Sequence, residues 1–379
     1  MGVGQSPLEG LAVKAAFGGA FSGRTVFVTG HTGFKGAWLS LWLRELGAKV
    51  VGYALPPDAK PSLFEQSGLE RLVDSRLGDV RDAALLEKTL GETRPEIVFH
   101  LAAQPLVRRS YEQPAETFAT NVQGTANLLE AVRRTDSVRA AVVVTSDKCY
   151  ENREADHAYR EDDRLGGRDP YSASKACAEI VVASYRDSFF SAASAERRAV
   201  SLSSARAGNV IGGGDWAVDR LIPDCIRALA AGRAISVRNP RSVRPWQFVL
   251  EPLSGYLSLA AHQLASPESG AEAWNFGPSP EDAHTTAQVA ELVVRGWGSG
   301  RWTAADADPS APHEAGLLKL DSGKARARLS WRPVYGADEA VARTVAWYRA
   351  AAEPGFDALA FTRRQIADYT AALAPAGRP

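Results

Sequence analysis

The apolar run Thr25-Val26-Phe27-Val28-Thr29 leads directly into Gly30-His31-Thr32-Gly33-Phe34-Lys35-Gly36, and no other stretch limits the possible folds as strongly. A buried strand that ends in a glycine-rich turn and opens a helix presents backbone N–H groups to an anion, above all the pyrophosphate of a dinucleotide. Glycine spacing alone is a weak signal, so the flanks decide. Residues Ala37-Trp38-Leu39-Ser40-Leu41-Trp42-Leu43-Arg44-Glu45-Leu46 are apolar at helical spacing and stop at Gly47, after which Lys49-Val50-Val51-Gly52-Tyr53 reads as another strand. Strand, turn, helix and strand within about thirty residues form a βαβ unit.

Further short apolar or β-branched runs recur at 97–101, 141–145 and 200–204, with helical patterns over 116–134 and from Pro170 to about Tyr185. Buried parallel strands alternating with helices predict an α/β fold built on a doubly wound parallel sheet. Past Ala207 the alternation lapses into Gly212-Gly213-Gly214, Pro223, Pro240 and Pro245. The expected organisation is a flexible lead-in over 1–21 and a dinucleotide-binding domain over 22–207. A smaller, irregular substrate-binding domain is expected over 208–350, with some segments returning to the first, and a C-terminal appendage over 351–379.

Composition narrows the function classes. Forty-four basic and forty-four acidic side chains cancel, so no basic field recruits nucleic acid or an anionic membrane. Cys149, Cys177 and Cys225 are an odd, scattered set, which favours a reducing cytoplasm over a disulfide framework. No stretch approaches the length of an apolar membrane span, and the first residues lack a secretory pattern. His31, His100, His157, His262, His284 and His313 show no ligand spacing, and no metal is expected.

A second constellation points to chemistry. Asp169-Pro170 reads as an N-cap and first helical residue, which sets Tyr171 and Lys175 on one helix face. An ammonium beside a phenol favours the phenolate, so Tyr171 is expected to titrate below its ordinary value and to take a proton from a sugar hydroxyl.

Five motifs in order then carry a resemblance. Thr29-Gly30-His31-Thr32-Gly33-Phe34-Lys35-Gly36, with its G-x-x-G-x-x-G spacing, is followed by His100-Leu101-Ala102-Ala103-Gln104-Pro105 and Thr145-Ser146-Asp147-Lys148-Cys149-Tyr150. Tyr171 with Lys175, and Arg244-Pro245-Trp246, complete the series. From about Phe21 to Arg349 the chain resembles the extended short-chain dehydrogenase/reductases, and among them the nucleotide-sugar 4,6-dehydratases. The Gly-Phe-Lys-Gly and Ser-Asp-Lys-Cys-Tyr wording points to their CDP-glucose branch.

That resemblance implies a Rossmann-type sheet, bound NAD and a CDP-glucose substrate. Tyr171, assisted by Lys175 and Ser146, is expected to remove the 4-hydroxyl proton while the C4 hydride passes to NAD. The resulting ketone acidifies C5; loss of that proton and of the C6 hydroxyl as water is followed by return of the hydride to C6. Asp147 is the expected general acid. Lys148 has two readings, a base at C5 or a charge that steadies the enolate.

For the cofactor, the resemblance implicates Gly30, Thr32, Gly33, Phe34, Lys35, Gly36, Asp79, Val80, Leu101, Ala102, Ala103, Gln104 and Thr120, with Tyr171 and Lys175. Lys35 either approaches the phosphates or is solvated. The second strand ends at Tyr53-Ala54, without the acidic residue that selects NAD over NADP, so NAD rests on the resemblance. Arg206, Asn209, Arg220, Arg238 and Arg244 are the candidate diphosphate and nucleotide donors; Trp246 either supports the site or packs in the core. Family members usually dimerise through two helices, here near 116–134 and 170–189. The rivals are a dTDP- or other nucleotide-glucose dehydratase, a nucleotide-sugar 4-epimerase, and a catalytically silent dinucleotide-binding sensor.

Overall fold

Seven parallel strands form the central sheet of the computed structural model, which describes residues 13–190, 200–279, 282–305 and 317–373. They are β1 (Thr25–Thr29), β2 (Lys49–Ala54), β3 (Asp74–Leu77), β4 (Ile97–His100), β5 (Ala140–Val144), β6 (Ser201–Ala207) and β7 (Ala273–Phe276), in the order β7-β6-β5-β4-β1-β2-β3. The α/β, Rossmann-type expectation therefore holds. Chain order reverses between β1 and β4, and in such sheets the crevice beyond the carboxyl ends at that reversal is where ligands bind.

Two strands had weak or no sequence signals. β3 is an edge strand with the polar sequence Asp-Ser-Arg-Leu and only partial burial, so it lacks the apolar run of a central strand. β7 comes from far along the chain and pairs with β6 in parallel, Asn275 opposite Arg206.

Side chains alternate across the sheet because the strand repeat is two residues. Val26, Val28, Ile97, Phe99, Val142 and Val144 enter the larger core, while Phe27, Val98, Ala141 and Val143 enter the smaller one on the opposite face. The first helix, α1 (Phe34–Glu45), buries Trp38 and Trp42 completely and ends with Gly47 at φ +84°. The expected helix over 116–134 is divided into Pro114–Phe118, a π segment Ala119–Gln123, and α2 (Gly124–Arg134). The next helix, α3 (Pro170–Tyr185), starts as its sequence indicates, the Asp169 carboxylate accepting from the Ser172 N–H at 2.9 Å.

Both chain ends are more integrated than expected. Val13 and Phe21 lie in the larger core, so the described part of the lead-in is packed; residues 1–12 lie outside the described residues. Helices α4 (Leu250–Ala265), α5 (Ala337–Ala351) and α6 (Ala358–Leu373) cover the same core. The 351–379 segment is thus no appendage through residue 373: Ile366 and Tyr369 are fully buried, and Arg363 pairs with Glu45 of α1 at 2.7 Å. Its Ala-rich composition hides an apolar stripe that only the core completes. Among the described residues, no helix is long and apolar enough to cross a membrane.

Candidate active site

The glycine turn sits at the β1/β4 reversal. Gly30 has φ +75°, and a Cβ there would meet the Ala102 backbone nitrogen at 2.7 Å. At Gly36 a Cβ would overlap the Gly30 carbonyl oxygen, so strand end, turn and helix pack backbone against backbone. The Thr29 hydroxyl accepts from the N–H groups of Leu101 and Ala102, each at 3.1 Å, and contacts His100 Nδ1 at 2.7 Å. His100, pushed down to about 3 by burial and by the Lys175 charge, is a neutral pin between Thr29 and Thr125.

Other cofactor candidates gather at the same sheet edge. Thr32 donates to the Leu55 carbonyl at 2.8 Å, and the Tyr53 hydroxyl donates to the Asp79 carbonyl at 3.0 Å. Burial pushes Tyr53 up to about 12, as do the charges of Asp82 and Asp79. Asp79 is half-buried and its carboxylate is held by Arg81, while Val80 is buried against Gly124. Ala103 and Thr120 are half-buried, Thr120 within the π segment. Gln104 is committed to protein: its side chain donates to the Leu106 carbonyl and the Thr117 hydroxyl, each at 3.0 Å, and its N–H donates to Asn121 at 2.8 Å. A glycine turn opening a twelve-residue helix fits a dinucleotide pyrophosphate.

One strand away, β5 runs into a short 3₁₀ turn, Asp147–Cys149, capped by Ser146. The Ser146 hydroxyl accepts from the Lys148 N–H at 3.2 Å and donates to Asp147 Oδ1 at 3.0 Å. Asp147 is buried, its Oδ2 has no hydrogen-bond partner among the described residues, and a Cβ at Gly208 would lie 2.9 Å from that oxygen. Burial raises the Asp147 pKa, opposed by the Lys148 charge, the Ser146 hydrogen bond and the Arg244 charge. Lys148 is half-buried beside it.

Tyr171 and Lys175 face this turn from α3. Burial pushes Tyr171 up to about 12, with Ser146, hydrogen-bonded to the phenol, pulling the other way. The expected lowering by Lys175 is therefore corrected: in the cleft as it stands desolvation dominates, and the Lys175 amine donates to the Val144 carbonyl at 3.4 Å. Burial brings Lys175 down to about 8, against the charge of Glu179.

Lys35 points into this cleft, not into solvent. Its amine donates to the Tyr256 hydroxyl at 3.1 Å, and burial, followed by the Lys175 and Arg220 charges, lowers it to about 7. The arginine candidates divide. Arg220 pairs with Asp215 at 2.8 Å and lies near enough to Tyr171 and Lys35 to couple with them. Arg244 couples with Asp147, and Asn209 is half-buried beside it in the chain crossing that joins Gln247 to the Asn209 carbonyl at 3.0 Å. Arg238 is exposed and pairs with Asp219 at 2.8 Å. Arg206 is a correction: it is buried in the sheet, its guanidinium bound to Glu179 at 2.8 Å and to the Tyr150 hydroxyl at 2.7 Å, and it offers nothing to a diphosphate. Trp246 is buried and belongs to the larger core. His313 lies outside the described residues.

Residues 27–344 match the model of the GDP-mannose 4,6 dehydratase family. The chain belongs to this family. It is 51% identical over 352 residues to the CDP-glucose 4,6-dehydratase of Salmonella typhimurium, covering 93% of this chain and 98% of that protein. Its fold is similar to that of MoeE5 solved with UDP-glucose and NAD, at TM-score 0.70 and 26% identity over 87% of this chain and all of the other. The UDP-glucose 4-epimerase of Thermotoga maritima, at TM-score 0.74 and 21% identity over 87% of this chain and all of the other, shares the fold.

Within this member of the dehydratase family, the sequence reading missed Tyr256 and Glu179. Tyr256 lies on a helix whose apolar composition gave no hint of a cleft-facing hydroxyl. Glu179 was detectable in principle, since positions 171, 175 and 179 recur at four-residue spacing along one helix face.

Proposed function

We propose that this protein is an NAD-dependent CDP-glucose 4,6-dehydratase that converts CDP-glucose to the 4-keto-6-deoxy sugar and water. The observation that carries the reading is the pairing of two proton-handling groups in one cleft. Asp147, buried beside Lys148 and biased toward its protonated form, faces Tyr171 and Lys175 across Ser146. The likeness to the Salmonella dehydratase supports the cytidine nucleotide and the glucose.

The residues then divide the work. The glycine turn 30–36 and the backbone at 101–103 hold the dinucleotide, which when bound accepts a hydride from the sugar and returns it. Tyr171 takes the 4-hydroxyl proton; Ser146 orients the phenol, and Lys175 favours the phenolate once substrate and cofactor replace water. Asp147 gives its proton to the departing C6 hydroxyl. Lys148, in its neutral amine form, removes the C5 proton. The competing role, a charged amine that steadies the enolate, requires normal C5 deuterium exchange from solvent in Lys148→Ala. Arg244 and Arg220, with Asn209, hold the nucleotide diphosphate.

The decisive experiment incubates the purified protein with CDP-, dTDP-, UDP- and GDP-glucose and weighs the products. Loss of one water from CDP-glucose with the alkaline absorbance of a ketone is the expected result. An isomer of unchanged mass would instead identify an epimerase. We further propose a homodimer, or a dimer of such dimers, through the helices around 116–134 and 170–189, where Phe118 and Ile180 are exposed apolar side chains. A cytoplasmic location is favoured by the free thiols of Cys149, Cys177 and Cys225.

A further inference from the structure

Beneath the cleft lies a buried ion pair that the mechanism does not use. Glu179 and Arg206 are almost wholly buried and 2.8 Å apart. Burial alone disfavours both charges, yet each holds the other ionised: Glu179 is lowered and Arg206 raised from their usual values. Replacing such a pair with packed apolar residues is often neutral or stabilising, so stability is a poor reason to place one here.

The partners of the pair suggest another reason. Glu179 lies one helical turn beyond Lys175 and two beyond Tyr171, on their face of α3. Its Oε1 accepts from the hydroxyl of Thr145, the residue before Ser146, and its Oε2 accepts from Ser204 at 2.6 Å. Arg206 donates to the hydroxyl of Tyr150, the residue after the Asp147–Cys149 turn, at 2.7 Å and lies 4.9 Å from that ring's centroid. Tyr150 in turn donates to Asn275 of β7 at 2.8 Å. Arg206 also donates to the Glu161 carbonyl at 3.1 Å. The two ends of the turn that carries Ser146, Asp147 and Lys148 are thus tied through one ion pair to the helix that carries Tyr171 and Lys175.

We propose that Glu179, Arg206 and Tyr150 are positioning residues that fix the Ser146-Asp147-Lys148 turn against Tyr171 and Lys175. The inference rests on the dehydratase reading, because it assigns Asp147 and Lys148 of the turn to elimination, and the helix with Ser146 to oxidation. Loosening the turn then slows elimination, which needs both Asp147 and Lys148 in place, more than oxidation at C4, which loses only the Ser146 contact to the phenol, so the reduced cofactor builds up during turnover.

Tyr150→Phe removes one arm without changing shape, and Arg206→Lys keeps the charge but cannot reach Glu179 and Tyr150 together. For both, kcat on CDP-glucose should fall about tenfold with KM within about twofold, and Glu179→Gln should lose about a hundredfold, as expected for a small misplacement of reacting groups. Near-ultraviolet absorbance of reduced nicotinamide should rise in the steady state of each variant relative to the native protein. Tyr150→Phe and Arg206→Lys should fold, retain cofactor and melt within a few degrees of native. Native kcat in these two variants, or a loss that tracks the folded fraction without cofactor build-up, overturns the positioning role. A native protein inactive on CDP-glucose but active on another nucleotide hexose overturns the substrate reading alone, and the variants are then compared on that hexose.

Discussion

The strand-end cleft and the region under the C-terminal helices each hold a buried carboxyl group that burial pushes toward its protonated form, Asp147 in one and Glu251 in the other. Their surroundings differ. Glu251 is fully satisfied: Tyr369 donates to it at 2.6 Å, and the N–H groups of Val334 and Tyr335 donate at 2.9 and 2.8 Å. Among the described residues, Asp147 leaves one oxygen without a partner, opposite Gly208 and beside Arg244. A raised proton affinity therefore does not mark a reacting group by itself. The unsatisfied oxygen next to Tyr171 and Lys148 does, because a buried polar atom left open costs stability that a ligand can restore.

Substitutions at the two regions should separate along the same line. Tyr171→Phe and Asp147→Asn should each lower kcat about a thousandfold, within the range for general acid–base groups, with little change in melting temperature. Asp147→Asn should also accumulate reduced cofactor, whereas Tyr171→Phe should not, because it stops the reaction at oxidation. Equal build-up in both would merge the two roles.

Glu251→Gln should leave kcat per folded molecule near native and change stability instead. Folding raises the Glu251 pKa from 4.5 to about 7, so the folded state binds more protons between those values. The Glu251 contribution is full below about pH 4.5 and is lost as pH rises to about 7, a span of about 3 kcal/mol. Denaturant titrations across that window should show the native protein losing stability relative to Glu251→Gln, and parallel pH dependence would refute the assignment.

Smaller effects should come from the arginines. Arg244→Met should raise KM for CDP-glucose about thirtyfold, the value of one charge-assisted hydrogen bond of about 2 kcal/mol. Arg238→Ala, which breaks an exposed pair with Asp219, should change KM less than about twofold. A large effect at Arg238 would move the diphosphate site outward.

The parts of the molecule legible in the sequence are those where local chemistry and tertiary role coincide. β1, the glycine turn and α1 are adjacent in the chain, and the Asp169 cap with Pro170 set the start of the Tyr171 helix. β3 was faint because an edge strand needs no apolar run, and β7 because its partner β6 lies some seventy residues earlier in the chain. Arg206 was misread for a related reason: a lone arginine at a strand end looks like a phosphate donor until Glu179, on another element, is found to neutralise it.

From its sequence alone, this chain commits to a dinucleotide turn, a doubly wound sheet and a Tyr171–Lys175 helix face, since each depends on residues within a few turns or strands of one another. Only the tertiary structure decides which charges face the cleft. Burial turns Lys35 inward against Tyr256, removes Arg206 from the substrate donors and leaves Asp147 with an open oxygen. Desolvation and ion pairing depend on groups that meet only after β5, β6, β7 and α3 have packed together, and no local pattern encodes that meeting.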